Sequence, residues 1–346
     1  MRSLRAIPEL GGPVGLVLAV ALLGTTVSRS TEIYFISALV SVSMVVALYV
    51  FVGNSGVLSF GHVSFVAVGA WTAGVLSVPS QEKPAFMPYL FGFLRDTTVG
   101  NVPSLLLAGV VGAAFAAIVG LALMRLSGLA AGIATFAVLE ITNNILRFYE
   151  KVGPGLNTFS SVPETTDILQ SAAGAVAVIV AAFAYQRSRF GRQLRATRED
   201  PAVARSVGVS IYRQRLLAFV LSGFLAGLAG GLYVHFLPIN VDSVSLELTF
   251  ITLAMLVIGG VTSLWGAVVG ALAVSGLDSV LANAENGLDV LGWTLDVPAG
   301  TRIVVVSALM ALVLIVRPGG LTGGREFSLD PLLRRLPSAS PGEVVR

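Results

Sequence analysis

Ten apolar stretches follow one another along this chain, each close to bilayer-crossing length, and that succession constrains the fold more than any motif. A hydrocarbon core about 30 Å thick takes roughly 20 helical residues. Stretches of that order lie at about Gly11–Val27, Ile33–Val52, Gly56–Val78, Val102–Met124 and Gly128–Phe148. The second half supplies Ile168–Tyr185, Leu216–Leu237, Val244–Ile258, Gly266–Ala282 and Thr301–Val316. Only 12% of the 346 residues are charged and 55% are hydrophobic, against about 25% charged in a soluble domain. The expected class is an all-α integral membrane protein of about ten transmembrane helices, with glycine-broken or re-entrant segments. Arg2 and Arg5 precede the first stretch in the manner of a signal peptide, but no clean small-residue cleavage site follows, so it reads as an uncleaved anchor.

Charge orients the helices. Eight arginines fall between Arg187 and Arg215, beside only Glu199 and Asp200. Short loops rich in arginine stay on the cytoplasmic side. With the N-terminus inside, 16 of the 22 basic residues fall in cytoplasmic segments, whereas Glu82, Asp96, Glu150, Glu164, Asp242, Glu285, Asp289 and Asp296 fall outside. Both termini are then cytoplasmic, and the chain divides into a membrane domain, 1–324, and a disordered cytoplasmic tail, 325–346. The short stretch Val244–Ile258, interrupted by Gly259 and Gly260, reads either as a span or as a re-entrant piece buried in protein.

Several activities are excluded. There is no cysteine, hence no thiolate metal site or cysteine nucleophile. Neither Lys83 nor Lys151 stands in a phosphate-binding Gly-rich loop, and the longest non-membrane stretches are about thirty residues, too short for a folded soluble domain. No residue is expected to be catalytic and no metal is expected; His62 and His235 have no carboxylate at ligand spacing and read as hydrogen-bonding residues in helix packing rather than a proton relay. The basic residues sit in loops between spans, so nucleic-acid binding is not expected.

Three glycine clusters punctuate the apolar stretches: Gly53–His62, Ser222–Gly231 and Gly259–Gly266. Gly223 with Gly227, and Gly266 with Gly270, have the spacing that lets helix backbones approach closely. Packing alone accounts for such glycines. The functional alternative puts Ser59, Gly61, His62, Gly260, Ser263 and Gly266 beside a translocation path, as broken backbone that lines a cavity. In the fifth stretch Glu140, Asn143, Asn144 and Arg147 share one helical face. They read either as a structural network, Glu140 with Arg147 or an amide, or as the polar wall of an outer vestibule. Asp278 poses the same choice.

Within the arginine-rich loop a small helix is written out. Asp200 suits its N-cap, Pro201 its first turn and Gly208 its stop. Ala202, Val203, Ala204 and Val207 give it an apolar patch flanked by Arg198 and Arg205. The patch suits a groove on a soluble partner, although a basic loop that merely fixes topology needs no partner.

These segments carry a resemblance. GNSGVLSFGH from Gly53, GRQLRATREDPAVARSVGVSIYRQRLLAFVLSGFLAGLAGGLY from Gly191, IGGVTSLWGAVVGA from Ile258 and the closing RPGGL from Arg317 resemble the permeases of branched-chain amino acid ABC importers, the LivM-like subunit, over about Ile33 to Gly324. The resemblance implies a non-enzymatic permease in a bacterial inner membrane. Its partners would be a second homologous permease, two cytoplasmic ATPase subunits that hold ATP and Mg, and an extracytoplasmic solute-binding protein. Arg198, Glu199, Asp200, Pro201, Ala204, Arg205 and Gly208 would then form the coupling helix of the loop 187–215. An ion-coupled secondary transporter carried by Glu140 and Asp278 is the alternative, and the substrate stays open among branched-chain amino acids, urea, amides and other small solutes.

Overall fold

The computed structural model describes residues 2–285, 288–290, 293–295, 298, 300–317 and 319–327. Its helices are α1 (Arg2–Thr25), α2 (Arg29–Ser55), α3 (His62–Ser77), the single turns α4 (Lys83–Phe86) and α5 (Gly92–Arg95), α6 (Asn101–Leu123) and α7 (Gly128–Phe148). There follow α8 (Ile168–Arg187), α9 (Arg189–Glu199), α10 (Pro201–Ser206), α11 (Ile211–Val234), α12 (Leu246–Gly259), α13 (Leu264–Glu285) and α14 (Thr301–Val316). Among the described residues eight helices are long and apolar enough to cross a membrane, and α3 and α14 are shorter apolar ones. Each of the ten expected stretches therefore holds a helix. The one sheet among the described residues is a short antiparallel hairpin, Leu288–Val290 with Trp293–Leu295, between α13 and α14.

Two helices are central. In α2 an unbroken run from Val42 to Ser55 is buried on all sides, as expected of a helix that is apolar all round. The other, α11, lies against α3 and α6 with almost no side chain between the backbones. A Cβ on Gly227 would stand 2.4 Å from the Ala108 carbonyl oxygen, and one on Gly230 would stand 2.0 Å from that of Val66. Gly112 and Gly223 face each other across the α6–α11 contact. The same device joins α12 to α13, where a Cβ on Gly259 would lie 1.9 Å from the Gly266 oxygen and one on Gly270 would lie 2.0 Å from that of Met255. Hydrocarbon tails are as apolar as leucine, so close backbone contact and hydrogen bonds, rather than expulsion of water, hold such helices together.

The third expected stretch is shorter than its apolar run. Gly56 takes a left-handed φ of 70° and ends α2. Residues 56–61 then form a non-helical link, held by Val57 N to Ser55 Oγ (3.1 Å) and Phe60 N to Thr135 Oγ1 (3.1 Å). With 16 residues, α3 covers about 24 Å. The segment α12 is a continuous helix that meets α13 at a tight turn, so the run Val244–Ile258 is one arm of a helical hairpin. Between α3 and α6 the fully buried Lys83 ties the loop together, its Nζ donating to Leu94 O (2.8 Å) and Thr97 O (2.5 Å). Burial pulls its pKa down, and the nearby Asp96 opposes that.

Gly230→Val should lower the yield of folded protein sharply, because the added isopropyl group must displace the Val66 backbone; overpacking costs roughly 1–3 kcal/mol or more. Gly276→Ala, where a Cβ meets nothing within 4 Å, should raise the melting temperature, by about 1 kcal/mol of helix propensity. Thermal melts of the purified variants in one detergent compare the two.

Candidate functional site

At the arginine-rich end of the bundle four separate segments converge. The first is α9, which the amino-acid pattern presents only as a basic run. Ser188 caps it, accepting from Gly191 N at 3.1 Å, and Gly191 passes so near α8 that a Cβ would stand 2.3 Å from Tyr185 O. Asp200 then ends α9 and starts α10, its Oδ1 accepting from Ala202 N (2.8 Å) and Val203 N (3.0 Å). Gly208, with φ 79°, closes α10, and Val209 N donates to Ala204 O at 3.0 Å.

Side chains fasten this helical pair to the bundle. Arg198 Nη1 donates to Gly53 O at 2.7 Å, which places a cation on the last carbonyls of α2, where the helix dipole is negative. Its other contact is an ion pair with the exposed Glu199 at 2.7 Å. Gln214 Nε2 on α11 donates to Gln193 Oε1 on α9 at 2.8 Å. Tyr49 OH on α2 donates to Gln186 Oε1 at 2.7 Å, and Arg195 Nη2 donates to the Gln186 carbonyl at 2.5 Å.

Gly53 brings in the remaining segments. A Cβ there would stand 2.6 Å from Val261 O in the α12–α13 turn, so the first and third glycine clusters meet. Gly260 turns with φ 127°. The segment after α14 folds back onto this turn. Leu321 N donates to Ile258 O (2.7 Å) and Thr322 Oγ1 to Gly259 O (2.9 Å), while the Glu326 carboxylate accepts from Leu264 N (3.0 Å) and Trp265 N (3.1 Å). The described residues after α14 continue to Phe327, whose ring packs on Trp265 at 5.0 Å. The tail 328–346 lies outside the described residues.

The expected site residues fall into distinct settings. Gly260, Ser263 and Gly266 belong to the turn, with Ser263 Oγ accepting from Gly266 N at 2.8 Å. Ser59, Gly61 and His62 lie at the start of α3. There the His62 ring is packed against Phe51, Phe65 and Phe219, and its Nδ1 faces Ser59 Oγ at 2.7 Å. A Cβ on Gly61 would meet Thr135 O at 2.4 Å, so that glycine serves the α3–α7 contact. His235, at the other end of the bundle, bridges Ser104 Oγ (3.2 Å) and Pro163 O (3.0 Å). Among the described residues no group of three or more metal-ligating side chains occurs.

The polar face of α7 is not the network the spacing suggests. Arg147 pairs with Asp242 rather than with Glu140. Asn144 Nδ2 bonds the Glu140 carbonyl at 2.8 Å, and Asn143 is buried with Oδ1 unpartnered. Glu140 and Asn144 line an open groove of about 450 Å³ beside Ile141, Ile145 and Phe148. On α10 the expected apolar patch divides. Ala204 is 3% exposed and faces its own protein, whereas Val203 and Val207 are 59% and 72% exposed. Ala204 is thus turned away from the exposed side of α10 on which Val203 and Val207 stand. Another feature escaped the sequence altogether: Arg302 joins Glu247 and Asp278 from three helices, at 3.2 and 3.3 Å, and no local spacing announces it.

Comparison with known proteins places this architecture. The profile of the family described as branched-chain amino acid transport system, permease component, matches residues 30–316. The chain belongs to this family. Among its relatives, the high-affinity branched-chain amino acid transport system permease protein LivM of Escherichia coli is 26% identical over 341 residues, covering 88% of this chain and 73% of the relative. A probable LivH permease of Methanocaldococcus jannaschii is 28% identical over 40% of this chain, which spans 42% of that relative's length. The guanosine ABC transporter permease protein NupQ of Bacillus subtilis is 28% identical over 61% of this chain and 69% of its own. No solved structure matches the chain significantly. The chain is thus a multi-pass ABC-transporter permease and not an enzyme. Lys83 Nζ is committed to two carbonyls of its own loop, and Lys151 stands in a loop beside Phe91.

Arg198→Ala in the permease should weaken the α9–α2 contact, and hydrogen bonds to charged groups are worth about 1.5–3 kcal/mol. Amide exchange should rise at residues 50–56 and across α9, while Arg205→Ala, at an exposed position, should leave both segments protected.

Proposed function

We propose that the chain forms one half of the translocation path of an ATP-driven importer and carries branched-chain amino acids or a related small polar solute. The observation that carries this reading is the α9–α10 pair: an apolar tip, Val203 and Val207, projects from the arginine-rich end, and Arg198 ties the pair to Gly53 at the meeting of two glycine-broken segments. An exposed valine pair on a capped helix suits a groove on a soluble subunit, and the arginines around it suit a cytoplasmic position. Two LivM proteins align over 88% and 85% of the chain, against 61% for the guanosine permease, which favours the amino acid over a nucleoside.

In this reading both termini and the arginine-rich end face the cytoplasm of a bacterial cell, and the membrane is the inner one. Two ATPase subunits bind ATP and Mg and engage α10 here and on a second, homologous permease. The path runs between the two permeases, along the open groove of Glu140 and Asn144, and past Ser59 and Gly260 at the broken segments. A solute-binding protein docks at the acidic end. Closure of the ATPases moves α9 and α10 as one body. Arg198 passes that movement to the last turn of α2, and rigid segments with two arrangements are the means by which such shifts reach distant sites. No covalent step takes place in this chain.

Val203→Glu with Val207→Glu should abolish solute-stimulated ATP hydrolysis and uptake by the reconstituted importer, with the melting temperature of the permease unchanged. Gly208→Pro should have the same effect on uptake, since proline does not adopt a φ of 79°. Normal uptake in the valine variant would remove the coupling role. Accumulation by the lone subunit in proteoliposomes, driven by a proton or sodium gradient, would replace the importer with a secondary carrier.

A further inference from the structure

The Arg302 ion group has no part in the junction at the arginine-rich end. It stands at the opposite end of the bundle, between two cavities. The larger, about 350 Å³, is bounded by α2, α12 and α13 and by the loop at Asp242. The smaller, about 260 Å³, lies between α12, α13 and α14, lined by Phe250, Ala254, Val306 and Met310. Glu247, Asp278 and Arg302 line both. The larger cavity includes Ser37 and Met44 of α2, which places its floor about 12–22 Å along that helix from Arg29, at 1.5 Å per residue.

The charges here do not balance. Arg302 is the one cation lining these cavities among the described residues. Its side chain meets Glu247 at 3.2 Å and Asp278 at 3.3 Å, while its backbone N donates to Glu285 Oε1 at 2.8 Å. Two carboxylates thus share one guanidinium, a third, that of Glu285, stands on the backbone N of the same residue, and Asp242 at the rim has its own partner in Arg147. Within the cavity wall Ser275 is 6% exposed and its Oγ has no hydrogen-bond partner, while Asp278 Oδ1 is engaged by Arg302 Nε at 3.3 Å. A buried hydroxyl left without a partner has a cost unless something in the cavity bonds to it. An incoming cation with N–H groups satisfies the Ser275 hydroxyl and offsets the excess negative charge of Glu247 and Asp278 over Arg302. A second carboxylate would add to it. The apolar lining of the smaller cavity suits a short hydrocarbon body beside the charge.

We infer that this double cavity is a binding site for a small organic cation, a primary ammonium on a compact apolar body, held by Asp278, Glu247 and Ser275. The site lies within the helices of one chain, so it stands or falls independently of the importer reading. Bound at the α12–α13–α14 contact, the cation restrains the helical hairpin whose other end forms the Gly260 turn.

The test uses the full-length chain in nanodiscs of phosphatidylglycerol, which carry no lipid amine. Titration calorimetry with n-butylammonium chloride should give saturable binding at pH 7, with n-butanol at least tenfold weaker and sodium chloride not competing. Ser275→Val, which fills the cavity and leaves the ion group intact, and Asp278→Asn should each weaken butylammonium at least tenfold. Thermal melts verify that each variant is folded. If Asp278→Asn unfolds, Ser275→Val decides alone. Absence of saturable binding, equal affinity for butanol, competition by sodium, or unchanged affinity in the folded variants would each overturn the site.

Discussion

Backbone touching backbone is the constraint on which this structure depends. Where α11 crosses α3 and α6, and where α12 meets α13, the closest atoms are main-chain atoms, and glycine is the residue that permits it. Inside a bilayer no hydrophobic force drives helices together, so the available attraction comes from dispersion at short range and from hydrogen bonds. Every later feature inherits its position from these contacts. The buried run of α2 is enclosed because α11, α8 and α13 close around it. The turn at Gly260 lands on Gly53 because the α12–α13 arms lie so near each other.

What the amino-acid sequence disclosed was what is decided locally. Each apolar run became a helix because a bilayer leaves the backbone little alternative. The short helix after Asp200 was legible to the residue, since a cap, a proline and a left-handed glycine act within one turn. Contacts between distant segments were not. The helix before it, Arg189–Glu199, hides behind arginines that read as loop, and only Leu194 and its neighbours, buried in the tertiary fold, give it a face. The rotation that turns Ala204 inward belongs to the packing of α10 on α9. Arg147 shares a helix face with Glu140, yet its partner, Asp242, lies 95 residues further on.

The two ends of the bundle differ in kind. At the arginine-rich end, charged side chains serve backbone: Arg198 on the Gly53 carbonyl, Glu326 on the first amides of α13. At the acidic end charged side chains serve one another, and incompletely, around Arg302. The first arrangement fixes segments relative to each other. The second holds two carboxylates on one guanidinium and a third on the backbone N of the same residue, with Ser275 Oγ lacking a hydrogen-bond partner, beside a cavity large enough for a guest.

The strand of chain from Gly319 to Phe327 imposes an order on biogenesis. The carbonyls of Ile258 and Gly259, and the first amides of α13, find their partners only in residues translated some sixty positions later. During synthesis the hairpin of α12 and α13 therefore enters the lipid with its tip unlatched. The bundle locks when the ribosome has released the segment beyond α14, so a stalled or truncated chain would carry a full set of membrane helices and still lack its clasp.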